Sequence, residues 1–481
     1  MPLSSSFMSV TARNVKRLPV TCLVLVACLN PALAQTGSSS DSESSTAAVN
    51  PSPTPPGLLN QTYLLGDFEG ERSNLEKEGF TFTPSYAAEA FGNPIGGVKQ
   101  GAVYDGLLDL ELTLDFKKMA DWDGSFHVSS LYPMGNGLTS TDTHDLLTVS
   151  EIEAYNTLHL FELWYEQKFL DDKIAVRAGQ LSADTEFFIS DSAANFLCAT
   201  YGWPGILDPN TPAPNYPYAA PGIRLQIDPD KHWRFLGAVF AGNPAPDRLG
   251  DPNPNRGPSD DFDNSGADFY INGSQGIFGI DELWYKLNQE DNARGLPGTY
   301  KIGGWFHTDT FSDRRYDNNG VPLASPASDG HPRALDGDYG FYGIADQAVW
   351  QDKSDPGQIR EIDLFFRCGN APADRNVFDY YLDGGVTFDG LIPGRPSDLF
   401  GVATAYGHID SGLQGFTEDQ NHFDGTNLPV PDFEQNIEVT YIAQIAPWWT
   451  VQPDMQVIIH PGGSSAIPNA LVFGCHTVIK F

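Results

Sequence analysis

The chain has 481 residues, of which 62 are acidic and 28 basic, for a formal net charge of −34. Such a surface repels phosphate, so a nucleic-acid partner is excluded. The 48 Gly, 36 Pro and 12% aromatics favour strands and turns. A mean hydropathy of −0.28 excludes a helical membrane bundle but not a membrane β-barrel, whose strands are apolar only at alternate residues.

Arg13, Lys16 and Arg17 precede an apolar run from Leu18 to Leu29, and Ala32-Leu33-Ala34 offers a small-x-small site before Gln35. This is the layout of a secretory signal peptide, so residues 1–34 are expected to be removed after Ala34. The alternative is a lipoprotein box, "LVAC" at 25–28, modified at Cys28. Residues 35–63 read as a disordered leader, Ser/Pro-rich over 35–57. Residues 64–481 read as one β unit. "DFEGERSNLEKEGF" (67–80) predicts a short helical segment at 67–79, anchored by Leu75 and stopped by Gly79. No amphipathic helix longer than about three turns is legible elsewhere.

Strands follow. "LLDLELTLDF" (107–116) sets Leu108, Leu110, Leu112, Leu114 and Phe116 against Asp109, Glu111, Thr113 and Asp115. Successive side chains of a strand point to opposite faces, so the strand is two-faced. "LFELWYEQK" (160–168) sets Phe161, Leu163 and Tyr165 against Glu162, Trp164, Glu166 and Lys168; "GIRLQID" (222–228) and "IEVTYIAQI" (437–445) alternate likewise. Several such runs reach the roughly 9–11 residues that cross a bilayer at a tilt. Candidate strands lie near 80–91, 104–116, 124–132, 158–169, 173–180, 221–228, 232–241 and 276–287. Eight more lie near 298–308, 339–350, 358–367, 376–388, 398–408, 435–446, 448–460 and 470–481. The total is even, as closure of an antiparallel barrel requires. Links after even-numbered strands are short, as at 170–172, 229–231 and Pro447, whereas 133–157, 181–220, 242–275, 309–338 and 409–434 are long. The predicted fold is therefore an all-β transmembrane antiparallel barrel of about 16 strands, with short periplasmic turns and long extracellular loops.

A barrel of that size holds water, and its function depends on what narrows it. The longest loop, 181–220, carries Asp184, Glu186, Phe187, Phe188, Asp191, Trp203, Tyr216 and Tyr218, while Arg177 and Arg224 fall on the lumen side of flanking strands. A loop folded inward sets carboxylates and aromatic faces opposite guanidinium groups. Sugars suit such a site, because their C–H faces stack on rings and their hydroxyls pair with carboxylates and guanidinium forks. Plainer readings stand beside this one: Trp164 and Tyr165 as packing, Arg177 and Arg224 as wetted lumen residues, Asp184 and Glu186 as loop-capping acids. "DFDNSGAD" (261–268) spaces Asp261, Asp263, Ser265 and Asp268 like a calcium loop, but Asn272 stands where the closing Glu belongs, so a solvated acidic loop is the expectation. No Cys/His spacing suggests zinc.

Several blocks carry a family likeness: "LLGDFEGERSNLEKEGFTF", "GGVKQGAVYDGLLDLELTLD", "LFELWYEQKFLDDKIAVRAGQLSADTEFF", "YGWPGIL", "YPYAAPGIRLQI", "AVFAGNPAP" and "FEQNIEVTYIAQIAPWWTVQPDMQVIIHPGG". From about residue 64 to the end the chain resembles the carbohydrate-selective porins of Gram-negative outer membranes, the OprB family. The resemblance implies a sixteen-stranded barrel that passes glucose and related small sugars by diffusion, with no cofactor, a short N-terminal helical segment and a constriction lined by both charge signs. Carried onto matching blocks, the constriction residues are Glu162, Trp164, Glu166, Arg177, Asp184, Glu186, Phe187, Trp203 and Arg224. The leader at 35–57 and "RCGNAPADRN" (367–376) stand apart from the pattern. A general diffusion porin is the alternative within this reading. A secreted sugar-binding β protein is disfavoured by full-length strands. A barrel enzyme is disfavoured by scattered His127, His159, His307 and His460 and the lack of GxSxG.

"LVFGCHTVIKF" (471–481) reads as the closing strand, pairing with the first. Leu471, Phe473, Cys475, Thr477, Ile479 and Phe481 are expected to face lipid, and Gly474, His476 and Lys480 the lumen or rim. Phe481 resembles the terminal signal read by barrel-assembly machinery, a partner alongside outer-membrane lipid. Cleavage leaves Cys198, Cys368 and Cys475. Cys475, mid-strand and lipid-facing, is expected to be free, so any disulfide joins Cys198 and Cys368, both placed in loops.

Overall fold

The computed structural model describes residues 57–244, 265–267, 269, 271, 275–290, 293–355 and 358–481. The signal peptide, the lipoprotein alternative, the leader up to residue 56 and Asp261, Asp263, Asp268 and Asn272 of the calcium-like loop lie outside the described residues.

Period-two alternation gives sixteen strands: β1 (Phe80–Ile95), β2 (Ala102–Asp115), β3 (Gly124–Met134), β4 (His159–Phe169), β5 (Ile174–Leu181), β6 (Ala220–Ile227), β7 (Trp233–Ala241) and β8 (Ile277–Leu287). They continue as β9 (Gly298–Asp317), β10 (Pro332–Asp355), β11 (Gln358–Asn370), β12 (Phe378–Asp389), β13 (Leu399–Ile409), β14 (Phe433–Ala446), β15 (Trp449–Ile459) and β16 (Ala470–Lys480). Each pairs with its sequence neighbours, and β16 pairs antiparallel with β1, opposing Glu89 to His476 and Phe91 to Gly474. Among the described residues the barrel wall is closed, so it has no first or last strand with a free edge, although β9 beyond 307 and β10 before 341 pair as strands only with each other.

The faces follow from register. Leu108, Leu110, Leu112 and Leu114 oppose Tyr86, Pro84, Phe82 and Phe80 on the outer surface, while Asp109 and Glu111 line an internal cavity. Exposed Phe82, Trp122, Phe169 and Trp233 ring one rim, and exposed Tyr104, Tyr339, Tyr380 and Phe473 stand toward the other. Such aromatic belts flank the lipid-facing band of outer-membrane barrels. Phe473 and Cys475 are exposed and His476 is buried, as the closing-strand register predicts.

Connections at the first rim are short, as at 170–173, 228–232 and 447–448. At the opposite rim they are long, as at 135–158, 182–219, 242–276 and 410–432.

Several expectations are corrected. The 309–338 link is mostly strand, because β9 and β10 run 20 and 24 residues and leave only 318–331 as the connection. The 410–432 link holds a 13-residue helix, where the sequence suggested only a loop. Its two glycines mask it, but Asp410 caps it by accepting from the N–H groups of Gly412 and Leu413. The short helices are α1 (Glu71–Lys77), α2 (Phe116–Ala120) and α3 (Ala199–Gly202), so the 13-residue helix is α4 (Ser411–Phe423). In α1, Gly79 stops the helix at φ +98, where a Cβ would lie 2.6 Å from the Asp115 carbonyl. Leu75, expected to anchor it, is instead half exposed. Residues 57–63, read as leader, are placed, with the Leu58 carbonyl accepting from Trp448 Nε1 at 2.9 Å.

Phe161 is another correction. Strict alternation put it outside with Leu163 and Tyr165. A β-bulge between the Val128–Leu163 and Ser130–Leu160 pairs inserts an extra residue. Phe161 thereby turns inward, onto Leu131 and Ala219. Finally, Cys368 lies within β11, not a loop, and both Cys368 and Cys198 are free thiols. Cys198 donates from Sγ to the Leu147 carbonyl instead.

Candidate functional site

The core sits inside the barrel. The 182–219 loop folds inward and presses Phe187, Phe188, Phe196, Tyr201, Ile206 and Leu207 against Phe278, Trp305, Tyr342, Phe365, Phe378 and Tyr381 of the β8–β12 wall. Phe188 and Tyr342 stack with ring centroids 3.9 Å apart.

Inward-pointing charges hold the loop. Arg367, fully buried, donates to Asp383 at 2.7 Å and to the carbonyls of Phe188 at 2.9 Å and Thr200 at 3.0 Å. Lys301 Nζ donates to the Ile189 carbonyl at 2.7 Å. Glu282 accepts from the Phe188 N–H at 2.6 Å, and Glu438 from Leu197 and Cys198 at 2.7 and 3.0 Å. Each satisfies a loop backbone group that burial would otherwise strand. The 135–158 loop is tied likewise, Glu434 accepting from Leu146 and Leu147.

A cavity of about 470 Å³ lies between the β2–β4 wall and the two loops. Glu162, Asp184 and Trp203 line it, with Asp109, Glu111, Phe161, His127, Glu151, Glu153 and Tyr216. Glu162 accepts from the Ser182 N–H at 2.9 Å and from Trp164 Nε1 at 3.2 Å. Asp184 accepts from the Tyr216 N–H at 2.6 Å and from the Ser182 hydroxyl. Loss of water around Asp184 pushes its carboxyl up to about 6, against these hydrogen bonds.

Four residues further along β4, toward the short-turn rim, stands an ion-paired quartet. Arg224 Nη2 donates to Glu166 at 2.7 Å and to Glu186 at 2.8 Å, and its Nε donates to Glu186 at 2.9 Å. Arg177 donates to Glu166 at 3.1–3.2 Å and lies 3.5 Å from Glu186. Its guanidinium carbon sits 3.8 Å from the centroid of the Trp164 ring. His127 stacks on that indole, with ring centroids 4.9 Å apart. Two cations and two anions thus hold one another, and none is a lone charge.

The expected site residues therefore separate. Glu166, Arg177, Glu186 and Arg224 meet in the quartet, and Trp164 stacks beside it. Glu162, Asp184 and Trp203 line the cavity. Phe187 is buried in the loop core and does not line the cavity. Asp109 and Glu111 were legible only as the polar face of β2. The anchors Glu282, Lys301, Arg367, Asp383 and Glu438 were not legible as such, because an inward polar residue looks the same whether it meets water or a loop.

Residues 99–481 match the family model described as the carbohydrate-selective porin, OprB family. The chain is 26% identical over 436 residues to Porin B of Pseudomonas aeruginosa, covering 86% of this chain and 90% of that protein. It is 23% identical over 442 residues to the putative porin QuiX of Acinetobacter baylyi, covering 88% and 94%. Among solved structures, the high-pH structure of Pseudomonas putida OprB superposes with a TM-score of 0.77 at 24% identity, covering 89% of this chain and all of that one. That likeness establishes the fold, and the family model spans most of the chain. A closed sixteen-stranded barrel narrowed by an inward loop and matched over residues 99–481 belongs to the carbohydrate-selective porins of the OprB family.

Proposed function

We propose that this porin lets glucose and related small sugars diffuse through the lumen by way of this cavity, and that Glu162, Trp164, Glu166, Arg177, Asp184, Glu186, Trp203 and Arg224 contact the solute or shape its path. Phe187 acts by packing the loop. The observation that supports this most is the cavity, where Trp203 and Tyr216 stand beside carboxylates, with a charge-balanced arginine–glutamate quartet next to it along β4. Aromatic faces suit sugar C–H surfaces, and many weak polar contacts let a solute enter and leave. A balanced quartet gives small ions no strong preference.

The same reading places the barrel in the outer membrane, its aromatic rims at the lipid interfaces. Residues 1–34 are its export signal, cleaved after Ala34, and Phe481 is read by the barrel-assembly machinery. The protein is a channel and performs no catalysis. The test is uptake by proteoliposomes of purified protein: neutral monosaccharides are expected to enter faster than neutral non-sugar solutes of equal size. Equal rates reduce the protein to a general diffusion pore.

A further inference from the structure

The cavity described above is one-sided in charge. Asp109 and Glu111 of β2, Glu151 and Glu153 of the 135–158 loop, Glu162 of β4 and Asp184 and Asp208 of the inward loop all line it, and no lysine or arginine does. The field of Arg177 reaches Glu162, but Arg177 is committed to Glu166 and Glu186. His127 is engaged by Thr113 and by the Trp164 ring.

The seven acids differ in duty, and Asp208 accepts from the Asn215 side-chain amide at 2.8 Å. Glu153 accepts from the N–H groups of Leu138 and Thr139, Glu162 from Ser182 and Asp184 from Tyr216. These three hold the walls. Among the described residues, Asp109, Glu111 and Glu151 accept no backbone N–H, so wall-building does not account for their charge.

A second observation concerns Trp203. It stands in the same wall, is more than nine-tenths buried, and its indole N–H has no hydrogen-bond partner. A buried indole N–H ordinarily has one. It can donate only, so what completes it is an acceptor such as a hydroxyl oxygen. Asp109 Oδ1 is likewise unpartnered and can only accept while ionised. The wall thus offers an unpartnered donor for a hydroxyl and several acceptors for an ammonium.

We infer that this cavity favours cationic hydroxylated solutes, amino sugars, over neutral sugars and excludes sugar acids. The inference rests on the sugar-diffusion reading and adds a charge preference to it. A cleft lined by one sign of charge concentrates its field and raises the local concentration of the opposite charge. At ~8 Å in a water-like dielectric, screened over about one Debye length, each ionised carboxylate favours a cation over an anion about twofold. Burial raises Glu151 to about 7, so it is only partly ionised at the assay pH, and about three effective charges among the seven acids give about tenfold.

Proteoliposomes of the purified full-length protein are given four solutes at about pH 6.5 and equal salt: tetraethylene glycol, glucose, glucosamine with its amine protonated, and glucuronate. Glucosamine is expected to enter about tenfold faster than glucuronate, with glucose between them. Equal rates for the three sugars, or the reverse order, overturn the inference while leaving the sugar porin intact. Glucose no faster than tetraethylene glycol overturns the sugar reading itself. D109N/E111Q is expected to lower the glucosamine-to-glucuronate ratio about fourfold, and an unchanged ratio removes these acids from the path. The salt arm needs no variant: in about 1 M salt the wild-type ratio falls toward one. A ratio indifferent to salt overturns the electrostatic account.

Discussion

Replacing Arg367 by methionine keeps most of the side-chain volume and removes the guanidinium. In the native barrel Nε lies 3.0–3.1 Å from both Asp383 oxygens, Nη2 donates to Asp383 and the Thr200 carbonyl, and Nη1 donates to the Phe188 carbonyl. Both partners are fully buried. Breaking such a pair costs about 3–5 kcal/mol, because Asp383 is left as an uncompensated buried charge. The two carbonyls also lose charged donors, worth about 1.5–3 kcal/mol each in isolation and less together. A loosening of about 4 kcal/mol raises the undocked fraction of the inward loop by roughly a thousandfold. Glu282, Lys301 and Glu438 still hold it, so R367M is expected to flicker rather than lose its loop. Single-channel recording in planar bilayers should show larger mean conductance with open-channel noise, and the preference for glucose over tetraethylene glycol should fall. R367M/D383L removes both charges and should recover most of the quiet native behaviour. A folded R367M barrel with native conductance, noise and sugar preference would refute the loop-clamp reasoning.

Other outcomes follow from the same geometry. Trp203→Ala and Arg224→Ala are each expected to change glucose flux at least twofold in proteoliposomes with the barrel assembled, and unchanged flux in both removes them from the path. Burial raises Asp184 to about 6 from 3.8, so the folded protein takes up a proton there while the unfolded chain stays ionised. Stability should therefore rise as pH falls from 7 through 6 toward 4, and this share of the rise should vanish in D184N, read by thermal unfolding in detergent. Asp410→Ala should cost about 1 kcal/mol locally by uncapping α4, seen as faster amide exchange in that helix with barrel strands unaffected. Intact mass under non-reducing conditions should show Cys198, Cys368 and Cys475 all reduced, and a bridged pair would contradict the strand placement of Cys368.

Alternation in β2 and β16 was enough to assign faces, because a strand's side-chain period is two and a barrel wall has one lipid face and one wet face. The strand count and the long/short rim pattern followed from the spacing of those runs. Where alternation failed, a local irregularity intervened: the bulge that turns Phe161 inward leaves no mark in composition. Arg177 and Arg224 were legible as lumen residues, but their mutual neutralisation by Glu166 and Glu186 was not. That pairing joins β4, β5, β6 and the inward loop, residues up to 58 positions apart.

The sequence by itself determined that the chain closes into a barrel, which residues face outward, and which loop is long enough to fill the lumen. Those properties depend on local period and length alone. Only the tertiary structure decided which wall the loop docks on. That choice depends on complementarity between Arg367, Glu282, Lys301 and Glu438 and backbone groups about 90 to 240 residues away. It left the cavity against the β2–β4 wall, lined by Asp109, Glu111 and Trp203. The character of that cavity therefore comes from a long-range packing decision that no single segment of the chain encodes.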